Sequence, residues 1–174
     1  MAVRIEIQQY YFIPLPNHDR GSLKRNIIRA YNTSRLYVDL ALKLDAAQNY
    51  LAHAPHFVFR SLLDATCIAI YAGHSIYGSE IDAELGDRSV KRAVEVLRRT
   101  SVKDGDLQMR ASKMTESYWA FRHKLPAVGL ILSRFPHRIG SSLTFDCLRR
   151  WKHNLEDVRR AEERKGDEAN GESP

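Results

Sequence analysis

Apolar positions recur at three- and four-residue intervals along most of this chain, a period that predicts helices. The clearest stripe is Leu107, Ala111, Met114, Tyr118 and Phe121. Ser101, Asp104, Gly105 and Asp106 supply turn and capping chemistry just ahead of it. Arg98 and Arg99 close the helix before, where cations suit the negative end of the dipole. The stretch therefore predicts a helix, a tight capped turn and a second helix. Upstream, the turn at 17–22 precedes a long helix whose inner face is Ile27, Ala30, Tyr31, Ser34, Tyr37, Val38, Ala41 and Leu44, with Ser22 as its expected cap. Phe57 to Ala72 is apolar almost all round, the mark of a central, buried helix. Arg60 and Asp64 form an i,i+4 pair on its one polar strip.

Gly73, Gly78 and Gly86 mark the next connection. A helix from about Asp87 to Thr100 then turns Val90, Ala93, Val94 and Leu97 inward, with Lys91–Glu95 and Glu95–Arg99 on its solvent face. Pro126 and Pro136 bracket a short apolar segment, Ala127 to Leu132. Gly140, Ser141 and Ser142 open a last helix with Thr144, Cys147 or Leu148, Trp151 and Leu155 inward. Residues 3–13 read as the end of a helix closed by Pro14 and Pro16, with a strand as the alternative. From Lys165 onward small and polar residues predict disorder. The expected fold is all-α: about six helices in an irregular bundle or stack over 1–164, then a disordered tail over 165–174.

Length and composition narrow the classes. A chain of 174 residues suits one domain, able to bury about 70% of its unfolded surface. Its 44% hydrophobic and 28% charged content is ordinary for a soluble globular protein. Net charge of +6 permits contact with polyanions but equally serves solubility. Two cysteines, Cys67 and Cys147, are no disulfide framework and point to a reducing, intracellular compartment. The N-terminus carries Arg4 and Glu6 and has no continuous apolar core, so it is no signal peptide. The longest uncharged run, Ala65 to Ser79, is too short and too polar to span a bilayer.

Candidate chemistry is sparse. His53, His56 and Cys67 make a weak zinc set, because Pro55 keeps the histidines off one helix face and no second close pair exists. Cys67 as a nucleophile would need His56 or His74 beside it, and a thiol in an apolar helix is usually inert. Glu80, Asp82, Glu84 and Asp87 crowd one loop without the spacing of a calcium loop. Arg149, Arg150, Lys152, Arg159, Arg160, Arg164 and Lys165 make a basic C-terminal stretch. Glu156–Arg160 and Arg159–Glu163 alternate in sign within it, which describes a solvated helix face better than a phosphate-binding arm. Tyr118 and Phe121 belong to the core stripe, whereas Trp119 lies off it and is the better interface residue. The chain therefore reads as a non-enzyme with no catalytic, metal-ligating or DNA-binding residues and no cofactor.

Three segments carry a resemblance. Arg98-Arg99-Thr100-Ser101-Val102, Asp106-Leu107, Arg110-Ala111-Ser112-Lys113 and Tyr118-Trp119 form the first. Ser141 through Trp151, with Phe145-Asp146-Cys147-Leu148, is the second, and Pro55 through Tyr71 a weaker third. In this order they resemble the regulatory region of fungal binuclear zinc-cluster transcription factors, over roughly residues 1 to 155. The six-cysteine DNA-binding cluster of that family is missing, and the chain looks like the C-terminal half of the region, incomplete at its N-terminus. The resemblance implies a nuclear protein controlling transcription by RNA polymerase II. It names no effector. Its expected partner is another protein or the missing N-terminal half, with a homo-oligomer as an option, no specific DNA binding and no membrane. A stand-alone helical adaptor is the alternative, and a small helical enzyme a more distant one. The all-round apolar helix Phe57–Ala72 is expected to leave a bare patch where those missing helices would pack.

Overall fold

The computed structural model describes residues 1–12, 19–122 and 142–171. The fold is all-α. Among the described residues there are six α-helices and no β-strand. They are α1 (Ala2–Gln8), α2 (Arg20–Gln48), α3 (His56–His74), α4 (Ala83–Arg99), α5 (Leu107–Phe121) and α6 (Ser142–Gly171). Short 3₁₀ turns follow α1, α2 and α3. The segment Ala127–Leu132 lies outside the described residues, as do 172–174 and the side chains of 165–171.

α3 is the axis of the molecule, and each of the other five helices touches it. Leu62, Ala65, Cys67, Ile68 and Ala72 on it have no exposed surface. Among the described residues its neighbours cover it from Val58 onward, and the bare patch expected around it shrinks to Phe57 in the first turn, 61% exposed. The large exposed apolar side chains lie mostly elsewhere, as Leu36, Leu40 and Leu44 along α2 and Val3 and Ile7 on α1. Leu44 therefore belongs to the outer face of α2, in line with Leu36 and Leu40 rather than with the inner stripe. Asp64 also departs from the expected placement. It is 1% exposed rather than on a solvent strip, because α1 and α6 close over that side of α3.

Helix starts follow side-chain caps. Asp19, not Ser22, caps α2: its carboxylate accepts the Ser22 N–H at 3.0 Å. Asp82 caps α4 by accepting the Leu85 N–H at 2.8 Å, so that helix begins four residues before the expected Asp87. Gly86 lies inside α4, and Gly73 inside α3. Gly78 packs against the end of α3, where an added Cβ would lie 2.4 Å from the Gly73 carbonyl oxygen. Only glycine fits that approach without a backbone shift. At the other end of α2, Asn49 takes a left-handed conformation (φ 51°) and ends the helix.

The expected capped turn stands between α4 and α5. Asp106 caps α5 by accepting the Met109 N–H at 2.8 Å, and it also accepts the Val102 and Lys103 N–H groups. Gly105 supplies the positive φ of 75°. Of the α5 stripe, Ala111, Met114 and Tyr118 are buried, Phe121 is half-buried and Leu107 is exposed in the first turn.

Candidate functional site

Trp119 is the hub of a constellation that borders open cavities. The α5 stripe predicts it at an interface, but it is 9% exposed and sits between α3, α4 and α5. Two glycines make room for it. A Cβ at Gly73 would lie 3.1 Å from its six-membered ring, and one at Gly86 3.8 Å. Asp87, one turn into α4, accepts the indole N–H at 2.7 Å through Oδ1. Arg122 donates to the same oxygen at 2.6 Å and to the Trp119 carbonyl at 2.8 Å. Its guanidinium lies 4.3 Å from the indole centroid, a cation–π contact that clamps the ring from the other side.

Space opens on both sides of the clamped indole. A groove of about 420 Å³ runs along α4 and α5, with Val90, Val94 and Trp119 as its floor. Its rim carries both signs of charge, including Arg98 and Glu116, paired at 2.6 Å. A smaller cavity of about 240 Å³ lies between Gly73, His74, Ile81 and Arg122. The groove falls in the usual size range of small-molecule sites, roughly 300–1,000 Å³. An apolar, aromatic floor with charges at the edge suits binding. Neither cavity is lined by a serine or cysteine nucleophile.

The other candidates are dispersed. His53 and His56 are exposed, whereas Cys67 is wholly buried. Among the described residues no group of three or more histidine, cysteine or acidic side chains could hold a metal ion. The acidic loop is already engaged: Glu80 pairs with Lys24 at 2.7 Å, Asp82 caps α4, Glu84 pairs with Arg88 and Asp87 holds Trp119. In the basic stretch, Arg149 and Arg150 both pair with Asp146, and Asp157 meets His153 and Arg160. No helix among the described residues is long and apolar enough to cross a membrane.

Sequence reasoning missed a junction of α1, α3 and α6. Asp64 accepts a hydrogen bond from the Thr144 hydroxyl through Oδ1, while its Oδ2 is buried without a hydrogen bond and has the Arg60 Nε 4.0 Å away. Burial, with Glu6 beside it, pushes the Asp64 carboxyl up to about 7. Nearby, Asp146 accepts from the Tyr71 hydroxyl and pairs with Arg149 and Arg150. Cys67 and Cys147 are both wholly buried, each one turn or less from these residues. Compared with protein-family models, with curated proteins and with solved structures, the chain matches none.

Proposed function

We propose that this chain is a regulatory, effector-responsive region of the kind found in fungal zinc-cluster transcription factors, acting on RNA polymerase II transcription in the nucleus without a DNA-binding module in this segment. One observation carries the reading. The stretch with the fullest resemblance, 97–123, contributes the end of α4, the capped turn and all of α5, and its aromatic end supplies Trp119, the floor of the groove. The groove is the part that would receive an effector with an apolar body, and Trp119, Asp87 and Arg122 are the residues that would sense it.

The test is a reporter assay in a fungal host. The chain is fused to an unrelated DNA-binding domain, and Trp119→Ala is compared with the unaltered fusion at matched abundance. The expected result is a change in reporter output on fusing the chain, altered by the substitution. Output equal to that of the DNA-binding domain alone would overturn the proposal.

The row Leu36, Leu40 and Leu44 favours a second reading, an adaptor that pairs with another copy of this chain along α2. Light scattering should then show a dimer that Leu40→Lys dissociates. A monomer at tens of micromolar would remove this reading and leave the first untouched.

A further inference from the structure

The two cysteines, remote in sequence, face one another in the core. α6 runs along α3 in parallel register, shown by contacts that climb both helices together. Thr144 bonds Asp64 at the start, and three residues on in each helix Cys147 comes level with Cys67. One turn further the Arg150 guanidinium lies 5.3 Å from the Tyr71 ring centroid. Both thiols are free and wholly buried, and the shared register of the two helices sets Cys147 opposite Cys67.

We propose that Cys67 and Cys147 are a redox-sensitive dithiol, reduced in the resting molecule and closing into a disulfide that staples α6 to α3 when hydrogen peroxide acts on it. This inference is independent of the proposed function. The chemistry balances with the peroxide as the oxidant. One thiol, as its thiolate, attacks a peroxide oxygen and becomes a sulfenic acid, releasing water. The second thiol then displaces the hydroxyl from that sulfur as a second molecule of water, and the S–S bond forms. Two electrons pass from sulfur to peroxide, and both thiol protons end in water.

Burial sets the kinetics. The neighbouring Cys67 thiol, and burial after it, raise the Cys147 thiol well above its usual range, so the closed molecule holds little thiolate. Oxidation therefore waits for α6 to lift from α3. The partner thiol meets the oxidised sulfur as the helix returns, which favours the intramolecular bond over further oxidation or a cross-link between chains. The staple would close a long loop, the case in which a disulfide constrains the unfolded chain most.

The experiment uses the full chain, reduced, then exposed to hydrogen peroxide below its melting temperature. It is denatured in an alkylating agent and weighed. The expected product is monomeric, has lost two hydrogens, takes up no alkylating agent and yields a Cys67–Cys147 cross-linked peptide. It should melt roughly 5–15 °C higher than the reduced form and return to it on adding a thiol reductant. Cys67→Ala and Cys147→Ala should each abolish the product and leave one reactive sulfur, trapped as a sulfenic acid by dimedone. The readout on the unaltered chain stands even where a variant folds poorly. Two alkylatable thiols after prolonged exposure, disulfides only between chains, or sulfinic acid at both sites would each overturn the proposal.

Discussion

Two aspartates set the two ends of this molecule apart. Asp106, in the turn between α4 and α5, is surrounded by donors from residues close to it in sequence. Those donors, the Met109 N–H first, hold its carboxyl down at about 2. Asp64, at the junction of α1, α3 and α6, meets groups brought from remote parts of the chain. One of its oxygens is buried without a hydrogen bond, and burial, with Glu6 adding to it, lifts the carboxyl to about 7. The same side chain is thus a local fastener in one place and a strained tertiary contact in the other. Turn chemistry is satisfied by spacing alone, whereas junction chemistry depends on helices arriving together.

The largest effect should come from the packing under the junction. Leu62 on α3 has no exposed surface, and Leu62→Ala should cost about 2–5 kcal/mol. Chemical denaturation at neutral pH measures it. A loss below about 1 kcal/mol would mean that α3 is less tightly enclosed than its burial states. Next comes Asp146→Ala, which strands the Tyr71 hydroxyl and removes one ion-pair partner of Arg149 and of Arg150. A loss of about 1–3 kcal/mol is expected. If Tyr71→Phe in the same background restores part of that loss, the stranded hydroxyl is its source. An unchanged deficit would place it in the lost ion pairs.

The smallest effect should be at the turn. Asp106→Ala removes a half-buried cap and should lower the melting temperature by only a few degrees, roughly the usual loss for one helix cap. Amide exchange should show the change confined to 101–110. Faster exchange spreading to α6 would erase the distinction between a local and a tertiary aspartate.

The turn is legible in the sequence because every participant lies within a few residues of the next. Ser101, Gly105 and Asp106 mark it as a run of turn and capping residues, and the 3.6-residue period places Ala111, Met114 and Tyr118 inward. The junction is not legible. Arg60 and Asp64 satisfy an i,i+4 pattern, and the guanidinium does reach within 4.0 Å, yet the carboxylate is buried by helices no local window contains. Trp119 misleads for the same reason. It lies off the α5 stripe but fills a niche made by Gly73 and Gly86 on two other helices. Two leucines err the opposite way: Leu107 keeps the apolar period but stands exposed in the first turn of α5, and Leu44 falls into the outward row of Leu36 and Leu40.

The direct test of this contrast is the stability of the chain from pH 4.5 to 8.5, beside Asp64→Asn. Asp64 titrates near 7 when folded and near 4 when unfolded. Its contribution is therefore fully present below about pH 4 and is lost as pH rises through 7, on the order of 3 kcal/mol across the window. Asp106 has the opposite sign: its contribution holds above about pH 4 and fades only as pH falls toward 2, outside that range. The unaltered chain should lose stability from pH 4.5 to 7.5 and level off, while Asp64→Asn runs nearly flat and is the more stable protein at pH 8. Parallel curves for the two proteins would contradict the account, because Asp64 would then carry no perturbed proton and the junction would be as relaxed as the turn.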